Sequence, residues 1–119
     1  MNMRNEKRSS VDRTCNDVDL SAIVPDNVQR VLHLGCSDGK LGRRLLESRA
    51  KEVVGVDNYG PAIDLARRNI TEVICGSIEG TDLPYDKGYF DFVIIESTLE
   101  YQKDPLNALH KIKRYLYQE

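Results

Sequence analysis

The stretch Val31-Leu32-His33-Leu34-Gly35-Cys36-Ser37-Asp38-Gly39-Lys40-Leu41-Gly42 reads as a strand, a glycine-punctuated turn and the opening of a helix. Val31–Leu34 is apolar except at His33, the pattern of a strand buried on both faces of a parallel sheet. Gly35 and Gly39 offer backbone conformations with positive φ and leave room for a ligand. A second apolar run, Val53-Val54-Gly55-Val56, closes on Asp57. A carboxylate at that strand end can accept two hydrogen bonds from a ribose diol. A glycine turn followed by such an acid outlines a nucleotide site.

Outward from this stretch, strands and helices alternate. Lys40–Arg49 reads as a helix, with Leu41, Leu45 and Leu46 on its apolar side. Gly60-Pro61 opens the next helix, because proline is tolerated in a first turn. Ala62, Ile63, Ala66 and Ile70 form its stripe. Val73–Cys75 is a short third strand, and Phe90–Ile95 a strongly apolar fourth. Asp104 then reads as an N-cap, with Pro105 at the first helical position. Leu106, Leu109, Ile112 and Leu116 fall three or four apart, one face of a last helix. The fold class is α/β, a Rossmann-like parallel sheet with right-handed crossovers and helices on both faces. In such a sheet ligands bind outside the carboxyl ends of the strands. Residues 35–39, Asp57, Ser77 and Glu96 all fall at that edge.

A chain of 119 residues is one domain. Residues 1–17 read as a flexible polar tail and 18–119 as the domain, beginning with a helical turn over Val18–Ile23. The formal net charge of -2 provides no bulk drive toward nucleic acid. The basic clusters Arg43-Arg44, Arg67-Arg68 and Lys111–Arg114 fall near the ends of the expected helices, where they complement the helix dipole. Cys15, Cys36 and Cys75 lack metal-ligand spacing and suit a reducing cytoplasm. Cys36 reads as a small filler within the turn. With only His33 and His110 available, no nucleophile–base arrangement is apparent. No signal peptide or membrane-spanning run is found, so the expected location is cytoplasmic.

A dinucleotide enzyme is the nearest competitor among nucleotide-binding α/β proteins. Its fingerprint requires glycines at the positions of Ser37, Gly39 and Gly42, and Ser37 fails where the tight turn is needed. Residues from about 19 to 116 instead resemble the first two-thirds of a class I S-adenosylmethionine-dependent methyltransferase, of the type 11 and type 12 domains. Five stretches carry the resemblance: Ala22-Ile23-Val24-Pro25 with Arg30-Val31-Leu32; Gly35–Gly39; Glu52–Asp57; Cys75-Gly76-Ser77-Ile78-Glu79; and Leu83-Pro84-Tyr85 through Phe90–Ile95 to Thr98-Leu99-Glu100-Tyr101 and Asp104-Pro105.

The resemblance implies strand order 3-2-1-4 and S-adenosylmethionine as cofactor, with S-adenosylhomocysteine as product. It implies that Gly35, Ser37 and Gly39 wrap the methionine and ribose portions and that Asp57 binds the ribose hydroxyls. Asn58 would lie against the adenine, Ser77 and Ile78 at its edge, and Glu96 near the methionine portion and substrate entrance. The catalytic residues and the methyl acceptor are not implied.

The chain departs from the family pattern at four positions. His33 stands where an acid favours the cofactor's ammonium group, Ser77 where aspartate accepts from the adenine, Ser37 where glycine is frequent, and Tyr101 where histidine is frequent. Together these imply weakened cofactor affinity. The family also continues beyond the last helix with three more strands, which this chain lacks. The expectation is a short or truncated domain whose 90–95 strand is an exposed edge. That edge would pair with a second copy or another subunit. The alternative functions are a degenerate methyltransferase-like scaffold acting with a partner, and another nucleotide-binding Rossmann-like protein.

Overall fold

The structure is a computed structural model that describes residues 20–96 and 102–116. A 3-10 turn at Leu20–Ile23 leads into β1 (Arg30–Leu34), α1 (Lys40–Ser48), β2 (Glu52–Asp57), α2 (Gly60–Asn69), β3 (Glu72–Cys75), β4 (Phe92–Ile95) and α3 (Pro105–Tyr115). Among the described residues the strands form one four-stranded sheet in the order β3-β2-β1-β4. Each neighbouring pair is parallel. This is the 3-2-1-4 order expected from the sequence, with the direction of winding reversing at β1.

Alternation along the strands divides the core into two layers. Val31, Val53 and Val73 pack with Leu45 of α1 and Ile63 and Ala66 of α2. Leu32, Leu34, Val54 and Val56 face the other way, onto Ala108, Ile112 and Tyr115 of α3. Helices therefore cover both faces. Leu32, Leu34 and Leu45 are wholly buried, each worth roughly 1.5–3 kcal/mol relative to exposure.

Several local expectations are corrected. The fourth strand starts at Phe92, two residues later than expected. Phe90 is drawn instead to the end of α3, where its N–H donates to the Tyr115 carbonyl at 2.8 Å. The Asp91 carboxylate accepts from the backbone N–H groups of Gln29 and Arg30, at 2.9 and 3.0 Å. The buried stripe of α3 is Ala108, Ile112 and Tyr115, whereas Leu106 and Leu109 are 65% and 37% exposed. Tyr115 sets that rotation, because its buried hydroxyl accepts from the Leu83 N–H at 3.1 Å. Asp104 does cap the helix, accepting from Asn107 N–H at 3.1 Å. Arg43 and Arg44 lie within α1 rather than at its end, and Arg43 pairs with Glu47 at 3.0 Å, one turn on. The expected polar tail and Tyr101 lie outside the described residues. No helix among the described residues is long and apolar enough to cross a membrane.

Gly55 is where packing tolerates no side chain. It sits in β2 opposite His33 of β1. A Cβ there would lie 2.5 Å from the Cys36 sulfur and 2.7 Å from Ile70 Cδ1. Both neighbours belong to the close-packed layer beneath α2, so neither can retreat without moving backbone. Gly55→Ala is expected to cost about 1–3 kcal/mol, read as a lower midpoint in urea denaturation with an unchanged slope.

Candidate functional site

A cleft of about 680 Å³ opens at the carboxyl ends of the strands, a size usual for a small-molecule site. Of the residues singled out from the sequence, Gly35, Ser37, Asp57, Asn58, Ser77, Ile78 and Glu96 line it. His33 and Gly39 do not. The cleft lies where the order reverses, with β1 and β4 on one side and β2 and β3 on the other.

The centre of the site is the bond between the glycine turn and Asp57. Gly35 has φ 80 and donates from its N–H to the Val56 carbonyl at 2.8 Å. Ser37 also has positive φ, 52, an uncommon conformation for a residue with a Cβ. Its N–H donates to Asp57 Oδ2 at 2.9 Å, and that of Tyr59 donates to Oδ1, also at 2.9 Å. These bonds to an ionised acceptor offset the strain at Ser37. A carboxylate has about four acceptor positions. Two are taken by backbone, and the remaining two match a vicinal diol.

Gly39 has a different task. It is the N-cap of α1 with φ 82. An added Cβ would lie 3.1 Å from both Ala66 Cα and Asn69 Cβ. Asn69 Nδ2 donates to the Asp38 carbonyl at 2.8 Å. Gly39 thus fastens the turn to α2 behind the cleft. His33 is 1% exposed. Its Nε2 lies 2.5 Å from Glu96 Oε1, and its Nδ1 is buried with no partner among the described residues. The Glu96 side chain is 40% exposed.

The turn after β3 supplies the apolar wall. Ile78 is wholly buried and Ser77 Oγ accepts from Gly80 N–H at 3.3 Å. The Gly76 N–H donates to the Asp57 carbonyl at 3.0 Å, tying the two strand ends together. Sequence reasoning missed Glu79 and Gln102. The Glu79 carboxylate accepts from the backbone N–H groups of Lys103 and Asp104, at 2.9 and 2.8 Å. It thereby holds the segment ahead of α3 so that Gln102 lines the cleft. The adjacent Asp104 N-cap marked where that segment ends, but no local pattern ties it to an acid 24 or 25 residues earlier.

Cys36, inside the turn, is 3% exposed. Its thiol is pushed up from 9.0 to about 11, by burial first and then by the charge of Asp57. A thiol held neutral in this way is a filler and not a nucleophile. The sign of the stability effect follows. Between about pH 9 and 11 the unfolded chain ionises this thiol and the folded chain does not, so stability falls as pH rises. The fall is expected to be up to roughly 2 kcal/mol, read by urea denaturation at each pH. Cys36→Ala is expected to remove that part of the slope.

Comparison with known proteins gives a consistent picture. The family of methyltransferase domains matches residues 32–119. An uncharacterized methyltransferase of Mycobacterium tuberculosis is 30% identical over 94 residues, 79% of this chain and 38% of that protein. The chain thus spans about two-fifths of that relative's length. Among solved structures, an S-adenosylmethionine-dependent methyltransferase of Mesorhizobium loti superposes with a TM-score of 0.72 at 22% identity, over 86% of this chain and 50% of that one. A candidate methyltransferase of Haloferax volcanii, in complex with the Trm112 methyltransferase activator, superposes with a TM-score of 0.69 at 25% identity. That match covers 82% of this chain and 45% of the other.

Proposed function

The chain belongs to the family of methyltransferase domains, and on that premise we propose that its cleft binds S-adenosylmethionine for methyl transfer to an acceptor. The observation that carries this reading is the Asp57 carboxylate, pinned by two backbone donors at the edge of the cleft with two acceptor positions left. When bound, the cofactor supplies a methyl group activated by a sulfonium centre.

The chain's own residues bind and orient. Asp57 accepts from the ribose hydroxyls. Asn58 lies beside the adenine, and Ser77 and Ile78 meet its edge. The backbone of Gly35 and Ser37 follows the ribose and methionine portions, while Gly39 holds the turn from behind. The donor set fits the group: a carboxylate for a diol, and an apolar wall of Val56 and Ile78 for a flat base. Holding the reacting centres in line supplies the catalysis, so no proton-transfer triad is required.

A partner is part of this reading. Among the described residues β4 is the outermost strand of the sheet, with Ile95 exposed, and the Haloferax volcanii neighbour is found with an activator. A second copy of the chain or another subunit would pair along that edge. The catalytically degenerate scaffold is the weaker alternative, because the bonds that order the turn and Asp57 are intact. The expected location remains the cytoplasm.

Calorimetric titration with S-adenosylhomocysteine tests the assignment. Micromolar binding by the native chain is expected, with a loss of about tenfold or more in Asp57→Ala, the scale of a charged hydrogen-bonding group removed. A folded native chain that takes up no ligand would overturn it.

A further inference from the structure

We propose that Glu96, held in place by buried His33, is the anchor for the ammonium group at the amino-acid end of the ligand. This rests on the S-adenosylmethionine reading and adds a residue role to it.

The first observation is the pair itself. A polar ring as deeply buried as His33 carries a desolvation cost unless it is hydrogen-bonded. Its partner among the described residues is Glu96, at 2.5 Å. The β1–β4 register sets His33 opposite Ile94, two residues before Glu96. The Glu96 N–H donates to the Leu34 carbonyl at 2.9 Å, fixing the backbone at the end of β4. The side chain then reaches back to the imidazole on β1. With Nε2–H donating, the carboxylate is oriented.

The second observation is the charge of the cleft. Asp57 and Glu96 are its charged lining residues, both acidic, and no lysine or arginine lines it among the described residues. Such a site is matched to a ligand that carries a cation as well as a diol.

The third is placement. Asp57 ends β2, and Glu96 follows β4, with β1 and its glycine turn between them. Two strand spacings put them about 10 Å apart across the sheet. The turn of Ser77 and Ile78, where the S-adenosylmethionine reading puts the base, follows β3, beyond Asp57. A ligand laid along this edge with its base toward β3 and its ribose at Asp57 therefore has its far end at Glu96. The far end of S-adenosylmethionine is its amino-acid portion. Glu96 is a binding residue in this account and His33 a positioning residue.

The test compares two probes, S-adenosylhomocysteine and 5′-methylthioadenosine, which has the adenosine and the thioether but no amino-acid end. Their dissociation constants are measured on the native chain, Glu96→Gln, His33→Leu and Asp57→Ala. Glu96→Gln is expected to weaken S-adenosylhomocysteine about tenfold, the effect of removing one charged partner, and to leave methylthioadenosine within about twofold. His33→Leu is expected to lower the same ratio of affinities, which a purely structural loss would leave alone. Asp57→Ala is expected to weaken both probes alike. Because the ratio is taken within each variant, partial destabilisation does not obscure it. An unchanged ratio in Glu96→Gln, with both probes bound by the native chain, overturns the anchor and leaves the cofactor reading standing. An unchanged ratio in His33→Leu alone overturns the positioning role. Failure of the native chain to bind either probe overturns the cofactor reading, and the anchor with it.

Discussion

The register of β1 against β2, with Leu34 opposite Val56, is the constraint on which the site depends. It brings the two strand ends level, so that Gly35 N–H meets the Val56 carbonyl and Ser37 N–H meets the Asp57 side chain. A slip of one residue would turn every β2 side chain to the opposite face. Val54 and Val56 would then leave the layer under α3, and Asp57 would leave the turn. The register is held from both sides. Val31 and Val53 share the layer beneath α1 and α2, while Leu32, Leu34, Val54 and Val56 share the other. Gly55 adds a steric check, because only a residue without a Cβ fits under Cys36. The same contacts that bury the core therefore place the ligand-facing groups.

What was legible in the sequence was what depends on local pattern. The apolar runs, the glycines between them and the proline-marked helix starts are nearest-neighbour signals, and they yield a parallel sheet with right-handed crossovers; the strand order came from the family resemblance. Asp57 was legible for the same reason, since a strand end next to a glycine turn has one place to be. The face of α3 was not. Leu106, Leu109 and Ile112 obey helical spacing, but so do Ala108, Ile112 and Tyr115. Periodicity alone cannot choose between overlapping stripes. The choice came from the Leu83–Tyr115 bond and from the small Ala108 side chain, which lets the helix approach the sheet.

The site divides along the same line. Gly39 belongs to the motif but packs on Ala66, since a glycine that admits a ligand and one that admits a helix look identical in sequence. Glu79 and Gln102 were illegible because their roles arise from contacts between distant segments. Glu79 spends its carboxylate on two backbone donors ahead of α3, so the wall of the cleft formed after β4 is fastened to the turn after β3. Asp57 does the equivalent for the turns after β1 and β2. Two carboxylates thus stitch four strand-end segments into one rim. Such ties within a rim lower the ordering cost of binding.

His33 illustrates how a departure from a motif is compensated. An acid at that position would sit in the most buried part of β1, where burial opposes a charge unless it is well paired. A histidine there can donate one hydrogen bond from Nε2, which Glu96 accepts. The charge is then borne at the end of β4, on a side chain that is 40% exposed, where water lowers the cost of keeping it. Glu96 still borders the same cleft. A carboxylate at Glu96 keeps a negative charge on the rim without placing one in the core. On the proposed anchor role, position 33 is therefore to be read together with position 96.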